Sequence, residues 1–123
     1  MLHTATGHVY AAWLPPKVAE HYIEREAGDA AVVTGRNLAR PSADAWLAQL
    51  DSVRSHGMAR AVGSPLPGID ALSAPVFDHT GGLVLALTAL GPSGLFDADW
   101  DGAIAQPLAE CAADISRKLG YRG

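Results

Sequence analysis

Residues 67–92, PGIDALSAPVFDHTGGLVLALTALGP, constrain the fold more than any other part of this chain. Two long apolar runs, residues 69–77 and 83–90, flank a five-residue break, DHTGG, at 78–82. Runs of this length and composition, separated by Asp and Gly, read as two antiparallel strands joined by a tight turn. Both runs are apolar on both faces, which predicts that both faces are covered and that the hairpin lies at the centre of a domain, not at its edge. Alternation places Ile69, Ala71 and Ser73 on one face of the first strand, and Val84, Ala86, Thr88 and Leu90 on one face of the second. The opposite faces carry Leu72, Ala74 and Val76, and Leu83, Leu85 and Leu87, which read as pure core.

The remaining segments read mostly as helices. Residues 4–14 (TATGHVYAAWL) predict a helix capped by Thr4, with an apolar stripe of Val9, Tyr10, Trp13 and Leu14, ended by Pro15 and Pro16. Residues 17–25 predict a second helix with Pro16 near its first turn. Residues 31–34 (AVVT) are a short apolar piece of uncertain type. Residues 42–56 (SADAWLAQLDSVRSH) predict a helix capped by Ser42, buried along Trp46, Leu47, Leu50 and Val53, and stopped by Gly57. Residues 58–62 read as a strand and 63–68 (GSPLPG) as a turn-rich loop. A last helix, capped by Asp97 or Asp99, runs to about Leu119, with Pro107 expected to kink or divide it. The order helices, antiparallel strands, helix predicts one α+β domain over residues 1–123, its helices packed on an antiparallel sheet. Three strands, with at most a short fourth, make a thin sheet for this much helix, which suggests that part of the sheet lies outside this chain.

Charge and composition exclude several functions. Nine basic residues against 13 acidic ones give a formal net charge of −4. With no basic stripe, the chain is by itself a poor partner for nucleic acid, whose phosphates demand clustered cations. A single cysteine, Cys111, allows no internal disulfide and fits a reducing compartment. No apolar run approaches a membrane span, and Met1 is not followed by a basic segment and an apolar run. The expected location is the cytoplasm. The five histidines form no pair at metal-binding spacing, so no metal and no cofactor is expected. Neither a nucleophile elbow nor a phosphate-binding glycine loop is present. Asp97, Asp99 and Asp101 lack the glutamate of a calcium loop and read as caps. Cys111 falls on the apolar stripe of the last helix with Leu108, Ala112 and Ile115, as a buried, inert thiol would. An enzyme is not expected.

Two places could hold a ligand. The hairpin face with Ile69, Ala71, Thr88 and Leu90 mixes small, apolar and hydroxyl side chains. Small residues leave room and isolated hydroxyls orient a bound molecule, although ordinary packing with hydroxyls bonded to backbone fits the same pattern. At residues 4–7 (TATG) a helix start offers free N–H groups suited to a carboxylate, and simple capping fits there too.

Three segments in order, LHTATGHVYAAWLP, PGIDALSAPVFDHTGGLVLALTALGP and CAADISRKLGY, resemble the effector-binding domain of the IclR family of bacterial transcriptional regulators. The RSHGM ending of the helix before the hairpin fits the same pattern, and the resemblance covers nearly the whole chain. It implies a GAF-like fold that senses a small metabolite, often a carboxylate or an aromatic acid, within a homo-oligomer (a dimer or a dimer of dimers). DNA binding would belong to a separate N-terminal winged helix-turn-helix. Carried onto this sequence, the effector pocket comprises Ala5, Thr6 and Gly7, then Ile69 and Ala71, then Thr88 and Leu90.

The chain departs from the family in three respects. Members that bind small keto-acids tend to carry hydroxyls at both second-strand positions, whereas here only Thr88 does and Leu90 is apolar. Acidic residues often precede the position of Pro67, but here the stretch is Val62, Gly63, Ser64 and Pro65. Both changes favour a partly apolar acid. The resemblance also begins partway into the effector domain: the DNA-binding domain and the first strands have no counterpart, which leaves a sheet edge open to another chain. The leading expectation is an effector-sensing module, and its rival is a dimerisation module without a ligand.

Overall fold

The computed structural model describes residues 4–21, 43–63 and 67–122. Its elements are α1 (Ala5–Trp13), α2 (Ala43–His56), β1 (Ala59–Val62), β2 (Ile69–Phe77), β3 (Leu83–Pro92) and α3 (Ala105–Lys118). A further helical stretch covers residues 16–21. The remainder of the predicted second helix, the 31–34 piece and the Ser42 cap lie outside the described residues. The fold is α+β, as the sequence implies: three antiparallel strands in the order β1-β2-β3, with helices on both faces.

The two faces of the sheet divide by strand parity. Buried Ala5, Val9, Ala11 and Ala12 of α1 and Leu50 and Val53 of α2 form one core with Ala59, against Ala71, Leu83 and Ala86. On the other face, Leu72, Ala74 and Val76 of β2 pack with Met58 and with Ala105 and Ala112 of α3. Small residues dominate both layers, so backbones approach closely, and α1 is buried around more of its circumference than its expected stripe. Arg54 of α2 donates from Nε to the Ala12 carbonyl at 2.8 Å, which satisfies an acceptor at the end of α1. Asp70, buried on β2, accepts from the Ser93 hydroxyl at 2.6 Å and from the Gly63 N–H at 2.9 Å, so the loops at that end of the sheet close on it.

Six expectations need correction. Only β2 is central. β3 is an edge strand, with Val84 45% and Leu90 67% exposed, because no described strand pairs with its outer side. Leu83 packs with the α1 layer rather than with Leu85 and Leu87, because the register slips between Val76 and Phe77 and leaves Val84 without a partner. Leu47 faces solvent at 58% exposure, since α2 buries only the narrow line of Leu50 and Val53. Pro107 neither kinks nor divides α3: the helix begins at Ala105, and in a first turn the missing N–H costs nothing. Asp97 and Asp99 do not cap it. The Asp97 carboxylate accepts instead from the N–H groups of Asp99 and Ala103, shaping the loop that leads into α3. On that helix Cys111 is exposed rather than buried.

Candidate functional site

Thr4 starts the site. Its side chain caps α1, accepting from the Gly7 N–H at 2.9 Å. The Ala5 and Thr6 N–H groups, at the positive end of the helix, make no hydrogen bond among the described residues. α1 lies across the Ala71, Ser73 and Thr88 face of the hairpin, and the Thr6 hydroxyl reaches the Thr88 hydroxyl at 2.6 Å. Thr88 in turn meets the Ser73 hydroxyl at 2.9 Å. Ser73 is fully buried, Thr6 is half-buried and Thr88 is exposed, so the three hydroxyls lead from the core toward solvent.

This chain of hydroxyls leaves one proton to spare. Three hydroxyls carry three O–H donors, and two contacts consume two. If Ser73 donates to Thr88 and Thr88 to Thr6, the Thr6 proton is left beside the free N–H groups of the helix start. A carboxylate oxygen is the acceptor that suits such a cluster. No buried side-chain nitrogen or oxygen among the described residues lacks a partner, so the arrangement is also complete without a ligand.

The structure brings the expected residues together unevenly. Thr6 and Thr88 touch. Ala71 pairs with Leu90 and Ile69 with Pro92 across the hairpin, all on the α1 face. Ala5 and Gly7 are buried in the seam under α1 and supply backbone rather than surface. Leu90 stands 67% exposed at the rim. Ser73 is not among the pocket residues that the resemblance implies, although alternation puts it on the same face. Only the register, which sets Ser73 opposite Thr88, reveals its place in the chain. His8, one residue beyond Gly7, is buried with its ring edge-on to Trp46 at 5.6 Å and with Gln49 at 3.4 Å from Nδ1.

A separate cavity of about 380 Å³ lies between α3 and the far end of β2, lined among others by Ala74, Phe77, Ala112, Ser116, Arg117 and Tyr121. None of the seven expected residues borders it. No cluster of metal-ligating side chains occurs among the described residues, and none of their helices is long and apolar enough to cross a membrane.

With this geometry in place, the similarities to known proteins become informative. The family model for the C-terminal part of the bacterial transcriptional regulator IclR matches residues 1–117. Among solved structures, HmgR of Pseudomonas aeruginosa is 36% identical, with a TM-score of 0.81 over 98% of this chain and 45% of its own. The IclR structure of Thermotoga maritima is 27% identical, with a TM-score of 0.74 over 96% of this chain and 46% of its own. The C-terminal domain of the E. coli transcriptional regulator KdgR, 24% identical over 98% of this chain and 71% of its own, shares the fold with a TM-score of 0.74. This chain thus spans under half the length of the first of these. No curated protein matches it.

Proposed function

The chain belongs to the family of bacterial transcriptional regulator IclR C-terminal domains, and we propose that within it this chain is the effector-sensing module, binding a small, partly apolar organic acid. Domains of this family serve regulators in effector binding and oligomerisation, and the relatives are regulators rather than enzymes. The observation that carries the reading here is the 2.6 Å contact between Thr6 and Thr88. It joins the donor-rich start of α1 to the hydroxyl face of the hairpin, the two places the sequence marks for a ligand. A carboxylate would take the spare Thr6 proton and the Ala5 and Thr6 N–H groups, while Ala71, Ile69 and Leu90 would contact an apolar body such as an aromatic ring.

The module would act in a longer regulator. With a net charge of −4 this segment does not itself supply the cations for DNA. A bound acid changes DNA affinity only if it favours one arrangement of the assembled regulator over another, by the difference of its affinities for the two. The cytoplasm is the compartment proposed for it.

The test is thermal denaturation against a panel of aliphatic and aromatic acids. We expect at least one aromatic or longer-chain acid to raise Tm, and Thr88→Val to remove that rise while the free protein still folds. If no acid shifts Tm in the chain or in the longer regulator, the sensing role fails and the pure dimerisation role replaces it.

A further inference from the structure

The hydroxyl chain of the site has a direction, and burial decides it. Ser73 stands in the middle of the sheet, between Ala59 of β1 and Thr88 of β3, on the face that α1 covers. It is 0% exposed, and its neighbours on that face, Ala59, Ala71, Pro75 and Ala86, carry no side-chain acceptor. Thr88 Oγ1, at 2.9 Å, is the one hydrogen-bond partner of the Ser73 hydroxyl among the described residues. A buried O–H without an acceptor loses its hydration and regains nothing, whereas a spare lone pair is tolerated more readily. If Ser73 accepted from Thr88, its own proton would point into the packed core with nothing to receive it. Ser73 must therefore donate to Thr88.

We infer that Ser73 is a positioning residue: its fixed donation leaves one proton at the outer end of the chain, and so makes the site select a carboxylate over the corresponding neutral amide. The selection rests on the acid-binding reading above; the direction does not. Thr88 can pass its own proton to Thr6, 2.6 Å away, or it can accept from both Thr6 and Ser73 and turn its own proton outward. In both arrangements one of the two outer hydroxyls, Thr6 or Thr88, faces outward as a donor. The Ala5 and Thr6 N–H groups at the helix start are donors as well. Three donors suit a carboxylate, whose two oxygens offer about four lone-pair sites. An amide offers one oxygen and sets its NH2 against a donor. Ser73 itself is fully buried and acts only through Thr88.

A role in packing alone makes a different prediction. Cysteine fills the space of serine, but its thiol is a weak donor. If Ser73 only fills space, Ser73→Cys changes nothing at the outer end. If it sets the direction, Ser73→Cys frees Thr88 and Thr6 to turn either a proton or a lone pair toward the ligand, and the amide gains on the acid.

Calorimetric titration of the intact chain with benzoate and with benzamide, an aromatic acid and its own amide, reads the selection. We expect benzoate to bind more tightly. The ratio of the two affinities should fall about tenfold in Ser73→Ala and nearly as far in Ser73→Cys, the scale of one hydrogen bond to a charged group. A ratio that Ser73→Cys leaves unchanged overturns the inference, and so does a preference for benzamide in the unaltered chain. If Ser73→Ala does not fold, Ser73→Cys decides alone. If another acid of the panel binds and benzoate does not, that acid and its amide replace the pair. The direction is read without any ligand, by NMR. The buried Ser73 hydroxyl proton should exchange slowly enough to give its own signal, with a nuclear Overhauser effect to the Thr88 side chain, and Thr88→Val should abolish it. No such signal, or one that survives Thr88→Val, overturns the inference whatever the acids do. The signal without binding of any acid leaves the direction standing and removes the sensing role, and the selection with it.

Discussion

β2 and β3 are both long apolar runs, yet the fold treats them oppositely. In β2, Leu72, Ser73 and Val76 are fully buried and Ala74 is 1% exposed. In β3, Val84, Leu85 and Leu90 remain 45%, 37% and 67% exposed. Hydropathy reports that a strand needs cover and not whether the chain itself provides it. The helices cover both faces of the sheet, but the backbone groups along a strand's edge need partners of their own, and among the described strands β2 has two neighbours where β3 has one. An apolar edge strand with free backbone groups marks where a second polypeptide segment belongs.

The sharpest break of this comparison is a matched pair of truncations. Leu72→Ala should cost about 2–5 kcal/mol, because it opens a cavity between two packed layers. Leu90→Ala should cost within about 0.5 kcal/mol in the monomer, because its side chain already meets water. Urea titration of both variants at low concentration checks this. Equal losses would mean that β3 is as enclosed as β2.

A smaller effect sharpens the contrast at the other end of β2. β1 pairs with residues 70–73, so the far half of β2 has no strand on that side among the described residues either. Here the chain supplies its own cover. The Ser116 hydroxyl of α3 accepts from the Phe77 N–H at 3.0 Å and donates to the Ala112 carbonyl at 2.9 Å. Pro75, with no N–H to satisfy, occupies the same uncovered stretch. Ser116→Ala strands a part-buried donor and should cost about 1–3 kcal/mol, with faster exchange at the Phe77 amide as its signature. Unchanged exchange there would show that water replaces the serine without loss.

How far the sequence could be read follows from the same contrast. Local chemistry was legible: the Thr4 cap, the Gly57 stop with its φ of 71°, the hairpin and its turn all lie where side-chain type and spacing put them. The pairing of Thr6 with Thr88 was legible as two separate marks, a helix start and a hydroxyl face, because each is a short-range pattern. Ser73 was not, since its role depends on a register that the bulge at Val84 shifts for everything before it. The exposure of Leu47, Cys111 and Leu90 was equally hidden. Periodicity says which residues share a face, and only tertiary packing says whether that face meets another.

The smallest expected effect lies in the turn that connects the two strands. The Asp78 carboxyl is held below its ordinary value of 3.8, chiefly by the Thr80 hydroxyl and then by the Thr80 N–H. A carboxyl with a lowered folded pKa contributes stability that is fully present above its unfolded value and is lost as pH falls through the folded one. The contribution of Asp78 should therefore hold at neutral pH and fade only below about pH 3.8. The carboxyl lies at the surface of the turn, where solvent screens it, so the fade should be slight beside the cost of Leu72→Ala. Asp78→Asn removes the titrating group while keeping an oxygen to accept from Thr80. Stability curves of the two proteins should run parallel from pH 7 to 5 and converge as the pH drops further. Curves that diverge in acid would place the charge of Asp78 in repulsion rather than in hydrogen bonding. The turn would then be held by its glycines, Gly81 at a φ of 80° foremost, and not by its carboxylate.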